Sequence, residues 1–221
     1  MFRIKICGVT NSDDAKKACA AGADAIGLNF YEGSQRFIDI ETAKQIAVTI
    51  PRGVIRVGVF VNASAGDVCR TFDTVGLEAI QLHGDEPPPF LSLLGKRPVI
   101  RAFRCRDSGL DEVQDYLAKC VDLQCMPHSV LTDAYYPGQY GGTGRVFDWK
   151  LLNTMRADLD GVRLILAGGL TPENVADAIV ASRPHAVDTA SGVESEAGVK
   201  DPDRLFRFVS NAKSAFASLD N

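Results

Sequence analysis

Residues 164–192 read LILAGGLTPENVADAIVASRPHAVDTASG and decide the fold. The apolar run LILA is followed by a Gly-Gly pair, by a segment of helical period that begins at Pro172, and by a second short run, AVDT. A strand, a helix and another strand in this order form the unit of a parallel sheet. This stretch therefore predicts one βαβ unit, with proline at the first helical position.

The same alternation continues along the whole chain. Short β-branched runs predict strands at residues 4–7, 25–29, 56–61, 79–82, 99–103, 130–133, 164–167 and 186–189. Helical periods between them predict helices at residues 12–21, 40–50, 64–75, 87–94, 111–119, 149–155, 172–181 and 203–217. The 221 residues then give about 28 residues per strand–helix unit. The sequence predicts an α/β fold, a single (βα)8 TIM barrel that occupies residues 1–221 as one domain.

A doubly wound open sheet is the alternative architecture. Such a sheet usually carries a glycine-rich G-x-G-x-x-G turn after its first strand. Here the first strand runs into CGVTN at residues 7–11, which lacks that pattern. One long connection, residues 134–146, is rich in Gly and Tyr and is a candidate active-site loop. The barrel is the better fit.

Composition and charge limit the partners. The net charge is -4 and the sequence has no basic stripe, so neither nucleic acid nor an anionic membrane is an expected partner. No apolar run reaches the roughly 18 residues that a membrane span needs, and the amino terminus enters a strand pattern directly. We expect a cytoplasmic protein that acts on a small molecule. The sequence does not predict its oligomeric state.

The six cysteines are scattered, which favours reduced thiols over a disulfide scaffold. Cys120, Cys125 and His128 lie close in sequence, but their spacing is not a standard zinc pattern and no second ligand pair follows. No metal site is expected.

A (βα)8 barrel places its active site at the carboxyl ends of the strands. Polar residues that fall at these predicted ends are Cys7, Asn29, Arg36, Gln81, His83, Arg101, Arg104, Asp133 and Asp188. Two small-residue turns follow the last two strands, at Gly168-Gly169 and at Ser191-Gly192. Backbone N–H groups of such turns bind phosphate in many barrels, although isolated glycine pairs also make plain tight turns. The occurrence of both turns at the expected loops favours a phosphate site.

Cys7 and Asp133 are the candidate acid–base groups. A thiol with an ordinary pKa of about 8.5 acts as a base after a modest lowering of that pKa by a nearby cation or helix terminus. Its alternative role is simple packing, because free cysteine is often buried. Asp133 ends a predicted apolar strand, where it either donates a proton to substrate or serves as a helix cap or ion-pair partner.

Arg36 and His83 each allow two interpretations. The guanidinium fork of Arg36 suits a carboxylate or a phosphate, although most arginines are solvated. His83 lies in a strand-end turn, where a histidine more often orients its neighbours by hydrogen bonds than transfers protons itself.

These residues resemble the phosphoribosylanthranilate isomerase family, and the resemblance spans the chain. The motifs that carry it are KICGVT (5–10), GLNFYEGSQRFI (27–38), VGVFVN (57–62), QLHGDE (81–86), LTDAYYPGQYGGTGRVFDW (131–149), LAGGLTPENV (166–175) and VDTASGVE (187–194). KICG together with GGTG-x-x-FDW is highly specific for that family.

The resemblance implies a cofactor-free Amadori rearrangement of N-(5'-phosphoribosyl)anthranilate in tryptophan biosynthesis. It implies that Asp133 protonates the ribose ring oxygen, that Cys7 removes the C2' proton, and that Arg36 holds the anthranilate carboxylate. The phosphate-binding backbone would be formed by Gly168, Gly169, Ser191 and Gly192. Gln81, His83 and Asp188 would contribute further polar contacts to the substrate.

The sequence departs from the family pattern at Gln35, where proline is common, which bears on the position of Arg36. Two alternatives remain open at this point. A related isomerase of histidine biosynthesis would carry aspartate at the Cys7 position and would bind phosphate at both ends of its substrate. A noncatalytic phosphate-binding barrel would not need an acid and a base at facing strand ends.

Overall fold

A computed structural model describes residues 2–104, 110–133 and 161–220. Eight parallel strands close into a barrel in chain order, with β8 paired to β1. The strands are β1 (Ile4–Ile6), β2 (Ala25–Asn29), β3 (Ile55–Phe60), β4 (Ala79–Leu82), β5 (Val99–Arg104), β6 (Ser129–Asp133), β7 (Arg163–Ala167) and β8 (Ala186–Thr189). The predicted (βα)8 barrel is confirmed, and the open sheet is excluded because the sheet closes on itself.

Helices follow the strands in the described ranges. They are α1 (Ser12–Ala21), α2 (Ile40–Ala47), α3 (Ala65–Val75), α4 (Pro88–Ser92), α5 (Leu110–Asp122), α6 (Val175–Ser182) and α7 (Pro202–Leu219). The helix predicted at 149–155 and the connection at 134–146 lie outside the described residues. None of the described helices combines the length and the apolar character that crossing a membrane requires.

One helix start was predicted wrongly. Proline 172 is not the first residue of a helix, because α6 begins at Val175 with Asn174 before it. The Asn174 side chain accepts a hydrogen bond from the Thr171 N–H at 2.8 Å and donates one to the Gly169 carbonyl at 3.0 Å. These bonds hold residues 171–174 in a turn, so the regular helix starts three residues later than the proline suggested.

Two features after β8 were not predicted. Residues Ser191–Val193 form a single 3₁₀ turn, and a small antiparallel hairpin follows, with strands β9 (Glu194–Glu196) and β10 (Val199–Lys200). The hairpin leads into α7, whose first turn is capped by the Asp201 side chain. This hairpin places two charged residues beside the barrel mouth.

The core has two layers, which follow from the alternation of side chains along each strand. Ile4 and Ile6 of β1 face outward and pack with the helices, whereas Lys5 between them lies inside the barrel and is fully buried. The lower barrel interior is filled by small and branched apolar side chains of the strands: Ala25, Val57, Ala79, Ile100, Ala102, Leu131, Ile165, Ala167 and Ala186. Above this layer, polar side chains face the carboxyl ends of the strands.

Candidate active site

A cavity of about 230 Å³ opens at the carboxyl ends of the barrel strands. Its lining includes every residue to which the family resemblance assigns a role except Gly192, namely Cys7, Arg36, Gln81, His83, Asp133, Gly168, Gly169, Asp188 and Ser191. A larger cavity of about 390 Å³ lies at the opposite end of the barrel, beside Arg3, Arg163 and His185. It contains none of the predicted site residues, so the smaller cavity is the candidate active site.

Cys7 lies just beyond β1, and its N–H donates to the Thr189 carbonyl at 2.8 Å. Below it, the Lys5 ammonium donates to Asp188 Oδ1 at 3.0 Å, and both of these side chains are buried. A Cβ atom built on Gly27 would lie 2.8 Å from Cys7 Sγ and 3.0 Å from Lys5 Nζ. Glycine at this position therefore makes the space in which the thiol and the ammonium meet.

The expected lowering of the Cys7 pKa was wrong. Burial of the thiol raises its pKa, and although Lys5 lowers it, the Asp188 carboxylate acts in the same direction as burial. Because Asp188 already neutralises much of the Lys5 charge, the ammonium does not offset the cost of burying a thiolate. Burial therefore prevails, and the pKa of the Cys7 thiol lies above its ordinary value.

Asp133 ends β6 and faces His83 across the cavity. Gln81 lies 3.2 Å from His83 Nδ1 through its amide nitrogen, so this ring nitrogen is the acceptor and the proton of the neutral imidazole belongs on Nε2. His83 Nε2 lies 3.7 Å from Asp133 Oδ2, which is too long for a direct hydrogen bond. The arrangement supports the interpretation of His83 as an orienting residue.

Two acceptor atoms in this part of the cavity are buried without a partner among the described residues. They are Asp133 Oδ1 and Gln81 Oε1. A buried polar atom without a partner costs roughly 1–3 kcal/mol, so a ligand group that donates to these atoms would recover that cost. A substrate hydroxyl is a group that could donate to Gln81 Oε1.

Arg36 lies at the rim of the cavity and is not a solvated surface arginine. Its Nε and Nη2 atoms contact the two carboxylate oxygens of Glu194 at 2.8 Å and 2.5 Å, which is a bidentate pair. Burial raises the pKa of Glu194, but the hydrogen bonds from Arg36 and Lys200 outweigh it, so the pKa lies below its ordinary value. Replacement of the common proline by Gln35 leaves Arg36 beside the cavity.

The two candidate phosphate loops come together at the mouth. Gly168 and Gly169 have φ values of 88° and 63°, a conformation that favours glycine. No described residue accepts a hydrogen bond from the N–H groups of Gly168, Gly169 or Ser191. Gly192 does not line the cavity: a side chain there would overlap the carbonyl of Leu170, so glycine lets one loop pack on the other.

Arg101 was expected at the mouth, but it lies on the outer face of β5. Its guanidinium donates to the Leu82, Ala102 and Gly84 carbonyls and stacks over Phe103 and Tyr116. Arg101 therefore holds the barrel wall to its surrounding helices.

Sequence reasoning missed three charged residues at the site, Lys5, Glu194 and Lys200. A partial signal for Lys5 was present, since a lysine between two isoleucines in a three-residue strand lies on the opposite face from them. No comparable signal marked the hairpin residues. The described ranges contain no group of three or more His, Cys, Asp or Glu side chains that could hold a metal ion, and their five cysteines are free thiols.

The fold and the cavity define the class, a (βα)8-barrel enzyme with acid–base groups at the barrel mouth. Residues 4–211 match the family model described as N-(5'phosphoribosyl)anthranilate (PRA) isomerase. The chain belongs to this family. The N-(5'-phosphoribosyl)anthranilate isomerases of Acidithiobacillus ferrooxidans and of a Neisseria meningitidis serogroup C strain are 46% and 43% identical to it. These alignments cover 96% of this chain and 98% and 96% of the relatives.

Solved structures agree with the family assignment. Phosphoribosyl anthranilate isomerase from Thermotoga maritima superposes with a TM-score of 0.84 at 40% identity, over 97% of this chain and all of that one. A phosphoribosyl anthranilate isomerase in complex with reduced 1-(o-carboxyphenylamino)-1-deoxyribulose 5-phosphate has a TM-score of 0.82 at 39% identity, over 97% and 100% of the two chains. These matches decide against the histidine-pathway enzyme and the noncatalytic barrel.

Proposed function

We propose that the mouth cavity carries out the reaction of the family by general acid–base catalysis. The chain is an isomerase that converts N-(5'-phosphoribosyl)anthranilate to 1-(2-carboxyphenylamino)-1-deoxy-D-ribulose 5-phosphate in tryptophan biosynthesis. The observation that supports the mechanism is the convergence of Cys7, Asp133, Arg36 and both glycine-containing loops on one cavity.

Asp133 and Cys7 supply the two proton transfers. Protonated Asp133 gives its proton to the ribose ring oxygen, the C1'–O bond breaks, and an iminium forms between C1' and the aniline nitrogen. Cys7 then removes the C2' proton as a thiolate, and that electron pair forms the C1'–C2' double bond of an enolamine. Tautomerisation of the enolamine gives the keto-amine, so no atoms are gained or lost. Each transfer contributes about 10²- to 10⁴-fold.

The raised pKa of Cys7 has a use in this scheme. A thiolate whose conjugate thiol has a raised pKa is a stronger base, since basicity rises with pKa. The adjacent Lys5 ammonium favours the thiolate and so opposes the cost of burial. Lys5 lies on β1, which ends just before Cys7.

The remaining groups hold the two ends of the substrate. The N–H groups of Gly168, Gly169 and Ser191 point to a phosphate site, to which Gly192 contributes by loop packing. Arg36 holds the anthranilate carboxylate, and Gln81, His83 and Asp188 surround the ribose. No step requires a cofactor. The cytoplasmic location and the organisation of residues 1–221 as one domain stay predictions.

Purified protein should consume phosphoribosylanthranilate, followed by the loss of its fluorescence. Cys7→Ser and Asp133→Asn should each lower kcat by about 10²- to 10⁴-fold. Cys69→Ser, on the barrel exterior in α3, is the matched control and should retain wild-type turnover. Wild-type kcat in either site variant would overturn the assigned role of that residue.

A further inference from the structure

Glu194 is a buried carboxylate that the reaction itself does not use. It opens β9, only 4% of the residue is exposed, and both of its oxygens contact Arg36. A guanidinium has five N–H donors in a fixed plane, so a bidentate contact fixes the orientation of the whole group. The direction in which Arg36 faces the cavity is therefore set by Glu194.

Lys200 holds Glu194 in place from the other strand of the hairpin. Its ammonium donates to Glu194 Oε1 at 2.7 Å, to the Cys7 carbonyl at 2.6 Å and to the Ala190 carbonyl at 3.2 Å. These three bonds use all three ammonium donors. Lys200 therefore ties the hairpin to the strand end that carries the proposed base and to the loop after β8.

The rest of the hairpin is anchored as well. The Lys200 N–H donates to the buried Asp14 carboxylate at 2.9 Å, and Thr10 donates through its hydroxyl to the Gly198 carbonyl at 2.7 Å. Arg204 of α7 donates to the Glu194 carbonyl. A support that is bonded on both strands has little freedom to rotate, which is what a positioning role requires.

The cluster formed by Arg36, Glu194 and Lys200 also carries a net positive charge. Arg36 and Glu194 alone would be neutral, but the buried Lys200 brings the three side chains to a net charge of +1. The cluster thus combines a fixed fork with a net attraction for one further anion.

We infer that Glu194 and Lys200 are positioning residues that present Arg36 to the carboxylate of the substrate. This inference rests on the proposed role of Arg36 in carboxylate binding. The three residues form one carboxylate-recognition unit, built from the loop after β2 and the hairpin after β8. Selectivity for an aniline that carries an ortho carboxylate follows from this unit rather than from Arg36 alone.

Glu194→Gln tests the inference, with Glu196→Gln as the matched control on the exposed face of the same hairpin. Glutamine has an NH₂ donor in place of one carboxylate oxygen, so it cannot accept from both Nε and Nη2 of Arg36 as the carboxylate does. With phosphoribosylanthranilate we expect KM to rise about tenfold, the loss of one charge-assisted contact, while kcat changes less than about threefold. Glu196→Gln should match the wild type in both constants.

The same assay with N-(5'-phosphoribosyl)aniline, which lacks the carboxylate, separates recognition from general damage to the fold. A positioning role predicts that Glu194→Gln and the wild type process this substrate within about twofold of each other. Equal losses with both substrates would show that Glu194 only supports the structure, and would overturn the inference.

A double-mutant cycle with Arg36→Ala completes the test. If Glu194 acts through Arg36, Glu194→Gln adds less than about twofold to KM in the Arg36→Ala background. Full additivity would overturn the positioning role. An unchanged KM in Arg36→Ala itself would instead overturn the proposed binding function of Arg36, so the two failures are distinguishable.

Discussion

Two buried lysine–carboxylate pairs flank Cys7, one inside the barrel and one at its rim, and they differ in what surrounds them. Lys5 pairs with Asp188 and lies beside the Cys7 thiol, whereas Lys200 pairs with Glu194 and also bonds two backbone carbonyls. Burial by itself acts to lower the pKa of both lysines. For Lys5 the charges of Asp188 and Cys7 outweigh burial and raise its pKa, whereas for Lys200 burial prevails and its pKa is lowered.

The difference teaches that an ion pair acquires its role from the third group it contacts. The third group of the inner pair is a thiol that loses and gains a proton, so the pair influences proton transfer. The third group of the rim pair is a guanidinium that does not titrate, so the pair fixes an orientation. Three changes test this contrast.

Lys5→Met should have the largest effect, on stability. It leaves the Asp188 carboxylate buried without its counter-charge, which typically costs about 3–5 kcal/mol. We expect that loss in the free energy of unfolding measured with urea. The double variant Lys5→Met/Asp188→Asn should recover much of it, because no unpaired charge then remains.

Lys44→Met is the control for this experiment. Lys44 forms an exposed pair with Glu41 on α2, so its replacement should change the free energy of unfolding by no more than about 0.5 kcal/mol. A loss in Lys5→Met as small as that of Lys44→Met would show that the inner pair does not depend on its ammonium.

Asp188→Asn should have the second-largest effect, a change in the pKa of Cys7. The Asp188 carboxylate raises the pKa of Cys7, so its removal should lower that pKa and increase the thiolate fraction at neutral pH. The rate of iodoacetamide alkylation of the Cys7 peptide, followed by mass spectrometry over a pH range, should then reach its midpoint at a lower pH than in the wild type. A midpoint that stays in place or rises would contradict the assigned coupling.

Glu194→Gln should have the smallest effect on stability, and it should depend on pH. The folded-state pKa of Glu194 lies below its unfolded value of about 4.3, so its contribution is present above that pH and is lost as the pH falls through the folded-state pKa. We expect the wild type to exceed the variant by about 1 kcal/mol at neutral pH, and the difference to vanish in acid. Urea unfolding at a series of pH values measures this, and a difference independent of pH would contradict it.

The sequence predicted the barrel well because its strands are strongly patterned. All eight strands were placed within one residue of their observed ends. Helix ends were less accurate, since they depend on local hydrogen bonds such as those of Asn174 rather than on apolar period. The cavity lining was predictable for a topological reason, because the barrel brings all the carboxyl strand ends together.

The errors at the site have physical causes. The side chains of β5 are apolar on both faces, so the sequence did not show which face Arg101 occupies, and it was placed at the barrel mouth although it faces outward. Glu194 and Lys200 reach Arg36 through a hairpin far along the chain, and sequence spacing does not reveal such a contact. The direction of the Cys7 pKa depends on burial and on a carboxylate from β8, which only the fold supplies.

Gly27 allows the barrel interior to accommodate the charged side chain of Lys5. Interior layers of small barrels are filled by side chains, so a long lysine inside one needs volume given up by a neighbouring strand. The missing side chain of Gly27 supplies that volume next to Lys5 and Cys7. A Cβ atom there would overlap the sulfur at 2.8 Å and make a tight contact with the ammonium at 3.0 Å. The absence of a side chain at residue 27 therefore helps to set the position of the reactive thiol, although β2 itself contributes no proton to the reaction.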